Sequence, residues 1–484
     1  MPAKQLIVIG AGMGGLSAAI HARLLGWDVL VLEKGETAGG KAAGISIKGY
    51  ELDPGPSIII LTEIYAEVFK RAGRKMEDYL QFRRLDTISR VFFEGSEPLD
   101  LPANSDQCLA VLRDLSPKDD DAMAKLLDQV ESVEPLLEKS VYHHGFSQPW
   151  QLLNPYLMQF GLKLNPTRPF KQLVDEMFDL PLLRAFFYGF PSYGGQTYHS
   201  PSPGSFLIPY YMLRRGVFFP VGGVRAIPLA FHHLAVELGV KFQFDCEAVS
   251  FSVVRERVVS LTDQNGMVHQ ADSFAVNLDR STFAGMVGHP VTVRPSYSYF
   301  TLHLGVSKVV SGLQHHNLFV TNDFERGFRE LYESNQFPTK PIVYLNATGA
   351  EDLNASPNGK TNLFAVVTSP SQVSGIDWAK ETADYAQRVR SVLGSFGICW
   401  TDDEVDFERI QNPPYFESAH GNFGGSLYGL EEKERLWGIF PAANTDRRWQ
   451  NVAFCGGSVQ PGAGLPMVTL SGKFAIDALN HRKN

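Results

Sequence analysis

The stretch QLIVIGAGMGGLSAAIHARLLGWDVLVLEK, residues 5–34, decides the fold of this chain of 484 residues. Its first five residues form a short apolar run that predicts a buried parallel strand. Glycines at positions 10, 12 and 15 then open a helical pattern, and a second apolar run, DVLVL, ends at Glu33. This order is the pattern of a dinucleotide-binding βαβ unit: a strand, a glycine turn, a helix, a second strand and an acid. The acid lies about 20 residues beyond the glycines, as that unit requires.

Each residue of this motif has its own role in such a site. Gly10 permits the tight turn after the strand, Gly12 lets a pyrophosphate approach the backbone, and Gly15 lets the helix pack closely. The free N–H groups at the helix N-terminus favour phosphate. Glu33 is placed to accept hydrogen bonds from ribose hydroxyls. We therefore predict an α/β fold class with a Rossmann-type domain.

A second group of glycines follows the acid. The segment KGETAGGKAAG resembles the extended fingerprint of the FAD-dependent amine oxidase and phytoene desaturase superfamily. The resemblance implies that Lys34, Gly40 and Lys41 lie at FAD, where Gly40 admits the backbone and Lys41 adds charge near phosphate or flavin. It also implies that the turn at Gly55 and Pro56, within LDPGPS, meets the flavin. Taken alone, each piece also fits a surface turn.

A third glycine cluster lies near the C-terminus, in FCGGSVQPGAGLP at residues 454–466. The residues before it predict a buried strand, and those after it predict a helix. Glycines would let the backbone reach the flavin and let the helix direct its positive N-terminal end at the ring, which becomes negative on reduction. A Gly/Pro loop before a docking helix is the other interpretation. The predicted contacts are Gly456, Gly457, Gly464, Leu465, Pro466 and Val468.

With both ends considered, the chain resembles the carotenoid desaturases of the phytoene desaturase family over nearly its whole length. The resemblance rests on GAGMGGLSAAI, LDPGPS, GVFFPVGGVRAIPLA and FCGGSVQPGAGLP. Within that family, GSLYG and PIVYLNATG are most similar to hydroxycarotenoid 3,4-desaturases, although Gln460 and Ala463 replace the usual histidine and glycine. The resemblance also implies that the backbone around Val249 meets the adenine.

The resemblance implies a chemistry as well: noncovalent FAD, and desaturation of C–C bonds in a carotenoid. The flavin N5 takes a hydride from an allylic carbon, a proton leaves the neighbouring carbon, and oxygen or a quinone reoxidises the flavin. Because a polyene stabilises an allylic cation, strong acid–base machinery is not required, and no catalytic residue is predicted. The alternatives are a carotenoid isomerase, another flavoenzyme of the amine oxidase fold, and a flavin-free carrier like the GDP-dissociation inhibitors.

The positions of the motifs predict a discontinuous FAD-binding domain. We assign residues 1–75, 216–289 and 431–484 to it, with GGVRAIPLAFHHLAVELGVKFQF as a helix followed by a strand in the middle piece. Residues 76–215 and 290–430 are predicted to form an inserted α+β substrate domain.

Composition excludes several other classes. A net charge of −8 without a basic stripe argues against a nucleic-acid partner. The four cysteines lie far apart, which suits a reducing cytoplasm. Histidine pairs at 143–144, 232–233 and 315–316 lack a third ligand at metal spacing, so no metal site is predicted.

An aromatic-rich, uncharged segment bears on how an apolar substrate arrives. Residues 141–220 contain eighteen aromatics, and residues 185–213 contain no Asp, Glu, Lys or Arg. One interpretation is ordinary core. The other is a tunnel wall that enters the membrane around Phe186, Phe187 and Tyr188. A carotenoid is nearly insoluble in water, so we predict a cytoplasmic protein peripherally bound to the lipid surface. The basic residues expected at headgroup level are Arg184, Arg214 and Arg215.

Overall fold

The computed structural model describes residues 3–143, 145–146, 149–164, 168–431, 433, 435 and 440–481; His144, of the first histidine pair, lies outside these ranges. Within them the strands are β1 (Gln5–Ile9), β2 (Asp28–Leu32), β3 (Ile45–Ile47), β4 (Tyr50–Leu52), β5 (Phe82–Arg84), β6 (Thr87–Phe93), β7 (Leu99–Pro102), β8 (Phe218–Pro220), β9 (Lys241–Gln243), β10 (Ala248–Val254), β11 (Arg257–Asp263), β12 (Val268–His269), β13 (Ser273–Val276), β14 (Ser298–Val306), β15 (His316–Val320), β16 (Val343–Ala347), β17 (Thr361–Ser369), β18 (Val405–Gln411) and β19 (Val452–Phe454). The α-helices are α1 (Met13–Leu24), α2 (Glu63–Arg71), α3 (Ser105–Leu115), α4 (Pro117–Glu138), α5 (Pro155–Leu164), α6 (Phe170–Met177), α7 (Pro181–Tyr188), α8 (Leu207–Arg214), α9 (Ala226–Glu237), α10 (Arg280–Met286), α11 (Phe324–Tyr332), α12 (Trp378–Ser395), α13 (Pro413–His420) and α14 (Leu465–His481).

A parallel sheet carries the N-terminal motif. Its strand order is β19-β13-β1-β2-β9, and each neighbouring pair runs parallel. Strand β1 lies in the middle with its apolar residues buried, as a strand covered by helices on both faces requires. Helix α1 packs against α9 and α14. The predicted α/β fold class with a Rossmann-type sheet is confirmed, while the exact domain boundaries stay a prediction.

A second, mostly antiparallel sheet has the order β18-β14-β17-β16-β15-β6-β7. Because successive side chains on a strand point to opposite faces, each strand contributes residues to both faces of the sheet. Phe300, Leu302 and Ala365 on one face join the core that includes Tyr385 of α12. The alternate residues, among them Tyr299, Thr301 and Val366, line a large cavity on the other face.

The aromatic-rich segment forms part of a helical core. Phe187 and Tyr188 on α7 are fully buried, and the ring of Phe187 lies 4.8 Å from that of Phe178. Phe186 is partly buried and lines the cavity. The prediction that these three residues enter the membrane is therefore wrong. The lack of charge in this segment reflects core packing and a cavity wall.

The arginines expected at headgroup level have polar partners within the protein. Arg215 pairs with Glu63 and Glu134, and Arg214 lies 3.7 Å from Asp128. Arg184 donates from Nε to the carbonyl oxygen of Phe178 at 2.7 Å. Each guanidinium has at least one partner in the protein, although Nε of Arg214 has none among the described residues. Such contacts do not test whether the arginines also meet headgroups, so that role stays a prediction. Across the described ranges, every helix is too short or too polar to cross a bilayer.

Several histidines are buried without charge, and His303 on β14 is one of them. Its ring lies 4.4 Å from that of Phe364, nearly parallel to it, and neither ring nitrogen has a hydrogen-bond partner among the described residues. Burial lowers the pKa of His303 to about 3. Burial likewise lowers the pKa of His21 and of His315 to about 4.

We expect these histidines to destabilise the fold in acid. Above about pH 6.5 a histidine is neutral in both the folded and the unfolded chain. As the pH falls below that value, the unfolded chain takes up protons that His303 in the folded chain refuses until about pH 3. Each such residue then lowers the free energy of unfolding by about 1.4 kcal/mol per pH unit. Thermal unfolding of His303→Phe should show a shallower loss of Tm from pH 6.5 toward pH 4. The exposed His233→Phe is the control, and an identical slope in wild type and His303→Phe would contradict the prediction.

Candidate cofactor and substrate site

The cavity runs from the carboxyl ends of β1, β2 and β13 to the aromatic helices and the second sheet. Its volume is about 1560 Å³. Sites for one small molecule usually measure about 300–1,000 Å³, so there is space here for a dinucleotide and a second molecule. The carboxyl edge of a parallel sheet is also where open α/β folds bind nucleotides.

The structure brings most of the predicted cofactor residues together in the wall of this cavity. Gly15 and Val249 are the exceptions. Gly15 lies inside α1, and the side chain of Val249 is 46% exposed, although the neighbouring Ala248 lines the cavity. The predicted residues in the wall are Gly10, Gly12, Glu33, Lys34, Gly40, Lys41, Gly55, Pro56, Gly456, Gly457, Gly464, Leu465, Pro466 and Val468.

Asn277 connects the N-terminal and C-terminal glycine clusters. A Cβ added at Gly12 would lie 2.8 Å from Nδ2 of Asn277, and one added at Gly456 would lie 2.9 Å from Oδ1. The two loops therefore meet around one amide, with room only for backbone. Asn277 is not among the residues predicted from the sequence. The signal was available, because Asn277 directly follows β13, at the same carboxyl edge of the sheet as the glycine turn.

Glu33 is fixed at the carboxyl end of β2. Its Oε2 accepts a hydrogen bond from the N–H of Ala11 at 2.6 Å, and its Oε1 accepts one from the N–H of Gly35 at 2.9 Å. An ionised carboxylate offers about four acceptor positions, so these bonds orient Glu33 and leave acceptors for ribose hydroxyls.

Replacing Glu33 by alanine should weaken FAD binding. A hydrogen bond to a charged group contributes about 1.5–3 kcal/mol, which corresponds to a rise in Kd of roughly 10-fold to 150-fold. Titration of apoprotein with FAD, followed by flavin fluorescence, measures the change. Glu33→Gln keeps one acceptor, so its Kd for FAD should lie between those of wild type and Glu33→Ala. Glu67→Ala changes a residue on the surface of α2 and should bind FAD like wild type. An unchanged Kd for Glu33→Ala would show that the adenosine half lies elsewhere.

Lys41 supplies positive charge at the centre of the site. Its Nζ donates to Oδ1 of Asn422 at 3.3 Å, and no ion pair of Lys41 occurs among the residues described. Burial lowers the pKa of Lys41, and the charge of Asp279 opposes that effect. A buried cation without a close anion is costly, so this position favours an anionic ligand such as a phosphate or a reduced flavin ring.

Helix α14 begins at the cavity with Leu465 and Pro466. Gly464, just before it, has a φ of +97°, and a Cβ added there would meet no atom within 4 Å. The free N–H groups and the positive end of the helix dipole therefore lie beside open space, where they favour negative charge.

Tyrosines stand out in the apolar part of the wall. We call Tyr193, Tyr299, Tyr332 and Tyr428 the tyrosine cluster; all four line the cavity. The rings of Tyr299 and Tyr428 are 5.8 Å apart, and the hydroxyl of Tyr299 lies 3.3 Å from that of Ser192. Burial raises the pKa of all four phenols, so they remain neutral hydrogen-bond donors. Sequence patterns did not reveal the cluster, because its members come from four separate segments.

Cys246, Asp263 and His269 also come together, with ligand atoms within 4.8 Å of one another. Oδ2 of Asp263 lies 2.9 Å from Nε2 of His269 and 3.5 Å from Sγ of Cys246. Burial raises the pKa of the Cys246 thiol to about 11. The thiol therefore stays protonated and donates a hydrogen bond to the carboxylate of Asp263. We assign this group a structural role at one end of the three-stranded sheet of β10, β11 and β12.

These features together fit FAD. The glycine cradles leave room only for backbone and ligand, Glu33 lies where a ribose is recognised, and Lys41 and the start of α14 supply positive charge. The adjoining apolar chamber is large enough for a substrate beside the flavin. The fold and the site thus define a flavin-dependent oxidoreductase.

Comparison with known proteins agrees with this class. The profile of the flavin containing amine oxidoreductases matches residues 13–475, and the chain belongs to this family. The predictions of a flavoenzyme and of FAD as its cofactor are therefore confirmed.

Three relatives match this chain almost end to end. A zeta-carotene-forming phytoene desaturase from Myxococcus xanthus is 29% identical, covering 98% of this chain and 94% of that protein. A 4,4'-diaponeurosporene oxygenase from Staphylococcus haemolyticus is 27% identical, covering 99% of this chain and 98% of that protein. A 4,4'-diapolycopene oxygenase from a Methylomonas species is 29% identical, covering 98% of each chain.

Solved structures share the fold. An oxidoreductase from Methanosarcina mazei matches with a TM-score of 0.68 at 16% identity, covering 98% of this chain and all of that one. A putrescine oxidase matches with a TM-score of 0.62 at 12% identity, covering 99% and 98%. A RAB GDI from Plasmodium falciparum matches with a TM-score of 0.51 at 12% identity, covering 84% and 88%.

Proposed function

We propose that the protein is an FAD-dependent carotenoid desaturase. The observation that carries this proposal is the continuity of the cavity: the dinucleotide loops and a chamber with many apolar and aromatic side chains line one and the same cavity. Bound FAD supplies a hydride acceptor for C–C oxidation. The similarity to relatives named carotenoid desaturases and oxygenases supports a polyene as the substrate.

The residues of the chain bind and orient both molecules. The residues that would hold FAD are those predicted above, among them the Gly55–Pro56 turn and the start of α14. Phe186, Phe190 and Leu318 belong to the wall that excludes water and holds the polyene extended. Exclusion of water also protects an allylic cation from hydration during the reaction.

The tyrosine cluster favours a polyene that carries an oxygen function, as in the hydroxycarotenoid substrates suggested by the resemblance. A Cβ added at Gly429, next to Tyr428, would lie 2.8 Å from Cβ of Ser458, which follows the glycine pair at 456–457. The cluster is thus beside the C-terminal flavin loop. Neutral phenols there would bind a hydroxyl or carbonyl oxygen that lies near the oxidised bond.

We also propose that the protein, in the cytoplasm, docks on a membrane to collect its substrate. Exposed apolar side chains cluster on the 3₁₀ helix Pro149–Leu153 and on α5. Phe160, on the same helix α5, lines the cavity, so this surface adjoins the chamber. Two basic residues, Lys139 and Lys163, lie nearby and suit anionic lipid. We call the exposed residues the apolar rim: Trp150, Leu153, Tyr156, Met158 and Leu162.

The proposal is tested with purified protein and carotenoids dissolved in liposomes, with oxygen or a quinone as electron acceptor. A desaturase shows a flavin spectrum and yields a product that has lost two hydrogens. A carrier would show no flavin, an isomerase would leave the mass unchanged, and an oxygenase would add oxygen. Apoprotein without FAD is the control, and any of these three alternative results would overturn the proposal.

A further inference from the structure

A chain of polar side chains interrupts the apolar wall of the chamber. The hydroxyl of Ser57 lies 2.7 Å from that of Tyr344, which in turn lies 2.6 Å from Nδ1 of His316. All three residues line the cavity. His316 begins β15, and Tyr344 lies on the neighbouring β16, where it is paired with Leu318. The same face of both strands therefore points into the chamber.

This polar chain lies at the flavin end of the chamber. Ser57 follows the turn at Gly55 and Pro56. A Cβ added at Gly55 would lie 1.9 Å from the carbonyl oxygen of Lys41, so this turn packs backbone to backbone against the cofactor loop. Ser57 therefore lies two residues from the point where this turn contacts the proposed cofactor loop.

His316 has unused hydrogen-bonding capacity. It is 1% exposed, and its Nε2 has no hydrogen-bond partner in the part of the chain that is described. Burial lowers the pKa of His316, so the ring is neutral at neutral pH. A buried nitrogen without a partner destabilises the fold, which indicates that His316 has a role beyond packing.

We propose that Tyr344 accepts the proton released by the substrate and passes its own phenolic proton to His316. This inference rests on the proposed desaturation, in which the cofactor accounts for one hydrogen and its electron pair as hydride. The C–H bond of the neighbouring carbon then breaks, and its electrons form the new C=C bond. That proton goes to the oxygen of Tyr344, the phenolic proton goes to Nδ1 of His316, and Ser57 orients the phenol.

The relay requires one tautomer of His316. Nδ1 must be the acceptor of the Tyr344 hydroxyl, so the ring proton must be on Nε2. In ¹⁵N spectra of the apoprotein, we expect Nδ1 of His316 to be unprotonated and Nε2 to be protonated, with the signals assigned by their absence from His316→Gln. The opposite tautomer would overturn the relay without any reference to turnover.

Kinetics test the step itself. Loss of a positioned base typically costs about 100-fold or more in rate, so Tyr344→Phe should slow formation of the desaturated product at saturating substrate, measured in a quenched single turnover, by about 100-fold. Polyene binding to the apoprotein, measured by the shift in polyene absorbance, should be unchanged. Deuterium on the carbon that loses the proton should give a larger isotope effect in Tyr344→Phe than in wild type, because proton loss has become limiting.

Matched controls separate the relay from general packing. Tyr198→Phe changes a buried tyrosine that does not line the cavity, and His315→Gln changes the neighbour of His316 outside the cavity wall. We expect both to form the desaturated product within a few-fold of the wild-type rate, and His316→Gln to be as slow as Tyr344→Phe. An unchanged rate and isotope effect in Tyr344→Phe, or weaker polyene binding as its only defect, would overturn the inference. If wild-type protein fails to reduce flavin with any polyene, the proposed function falls instead.

Discussion

Replacing Gly15 by alanine is expected to remove FAD from the protein. The added Cβ would lie 1.9 Å from the carbonyl oxygen of Gly10 and 3.1 Å from its carbonyl carbon. Both contacts are backbone atoms of the glycine turn, so no flexible side chain can move aside. The start of α1 must shift away from the turn, and its N–H groups then no longer reach the pyrophosphate. Overpacking alone costs about 1–3 kcal/mol. Together with the lost phosphate contacts, we expect the Kd for FAD to rise by about 100-fold or more.

Gly394→Ala is the matched control for this substitution. Gly394 lies within α12, is exposed, and an added Cβ would meet no atom within 4 Å. Alanine is favoured over glycine inside a helix by about 1 kcal/mol, so Tm should rise slightly and FAD content should not change. Flavin absorbance per protein, measured after purification, compares the variants. Wild-type FAD content in Gly15→Ala would mean that the glycine turn does not set the cofactor site.

The N-terminal unit was predictable because its constraints are local. Within residues 5–34, the two buried strands, the glycine turn and the acid all follow from short-range sequence periods and from backbone sterics. The structure has β1, α1 and β2 in that order, with Glu33 directly after β2. The C-terminal strand and helix, β19 and α14, were predictable in the same way.

The substrate half was less predictable because its residues meet only in three dimensions. The uncharged stretch 185–213 indicates burial, but sequence cannot say whether protein, lipid or substrate covers it. The structure places Phe187 and Tyr188 in the core. The pair of Tyr344 and His316 depends on strands that are neighbours in the sheet but separate in sequence, so a pattern along the chain does not show it.

The exposed apolar surface was not predictable from the sequence either. Trp150, Leu153 and Leu162 occur among many other apolar residues, and their spacing does not distinguish exposure from burial. In the structure, Leu157 on α5 is buried, whereas Leu153 is 70% exposed and Leu162 is 81% exposed. Exposed apolar residues that cluster next to a cavity are unusual on a soluble surface and indicate an interaction site.

The Leu153→Glu/Leu162→Glu variant is expected to lose membrane binding. Burying one leucine contributes about 1.5–3 kcal/mol, so two of them contribute roughly 3–6 kcal/mol to docking on lipid. Glutamate removes this term and adds repulsion from anionic headgroups. Co-sedimentation with liposomes of mixed neutral and anionic lipid measures the partition coefficient of the protein. We expect this partition coefficient to fall by at least about 100-fold. Both leucines are exposed, so the fold and the FAD content should persist.

A matched variant shows whether location, and not charge alone, is responsible. Val309→Glu/Leu353→Glu also replaces two exposed apolar residues, at 67% and 88% exposure, but at positions outside the apolar rim and the cavity wall. It adds the same charge and should bind liposomes nearly as wild type does. The rim variant should in addition reduce turnover of membrane-dissolved carotenoid while leaving turnover of detergent-dispersed carotenoid unchanged, since only the route of entry is altered. Equal liposome binding by the rim variant and wild type would refute docking through α5, and equal loss in both variants would assign it to net charge.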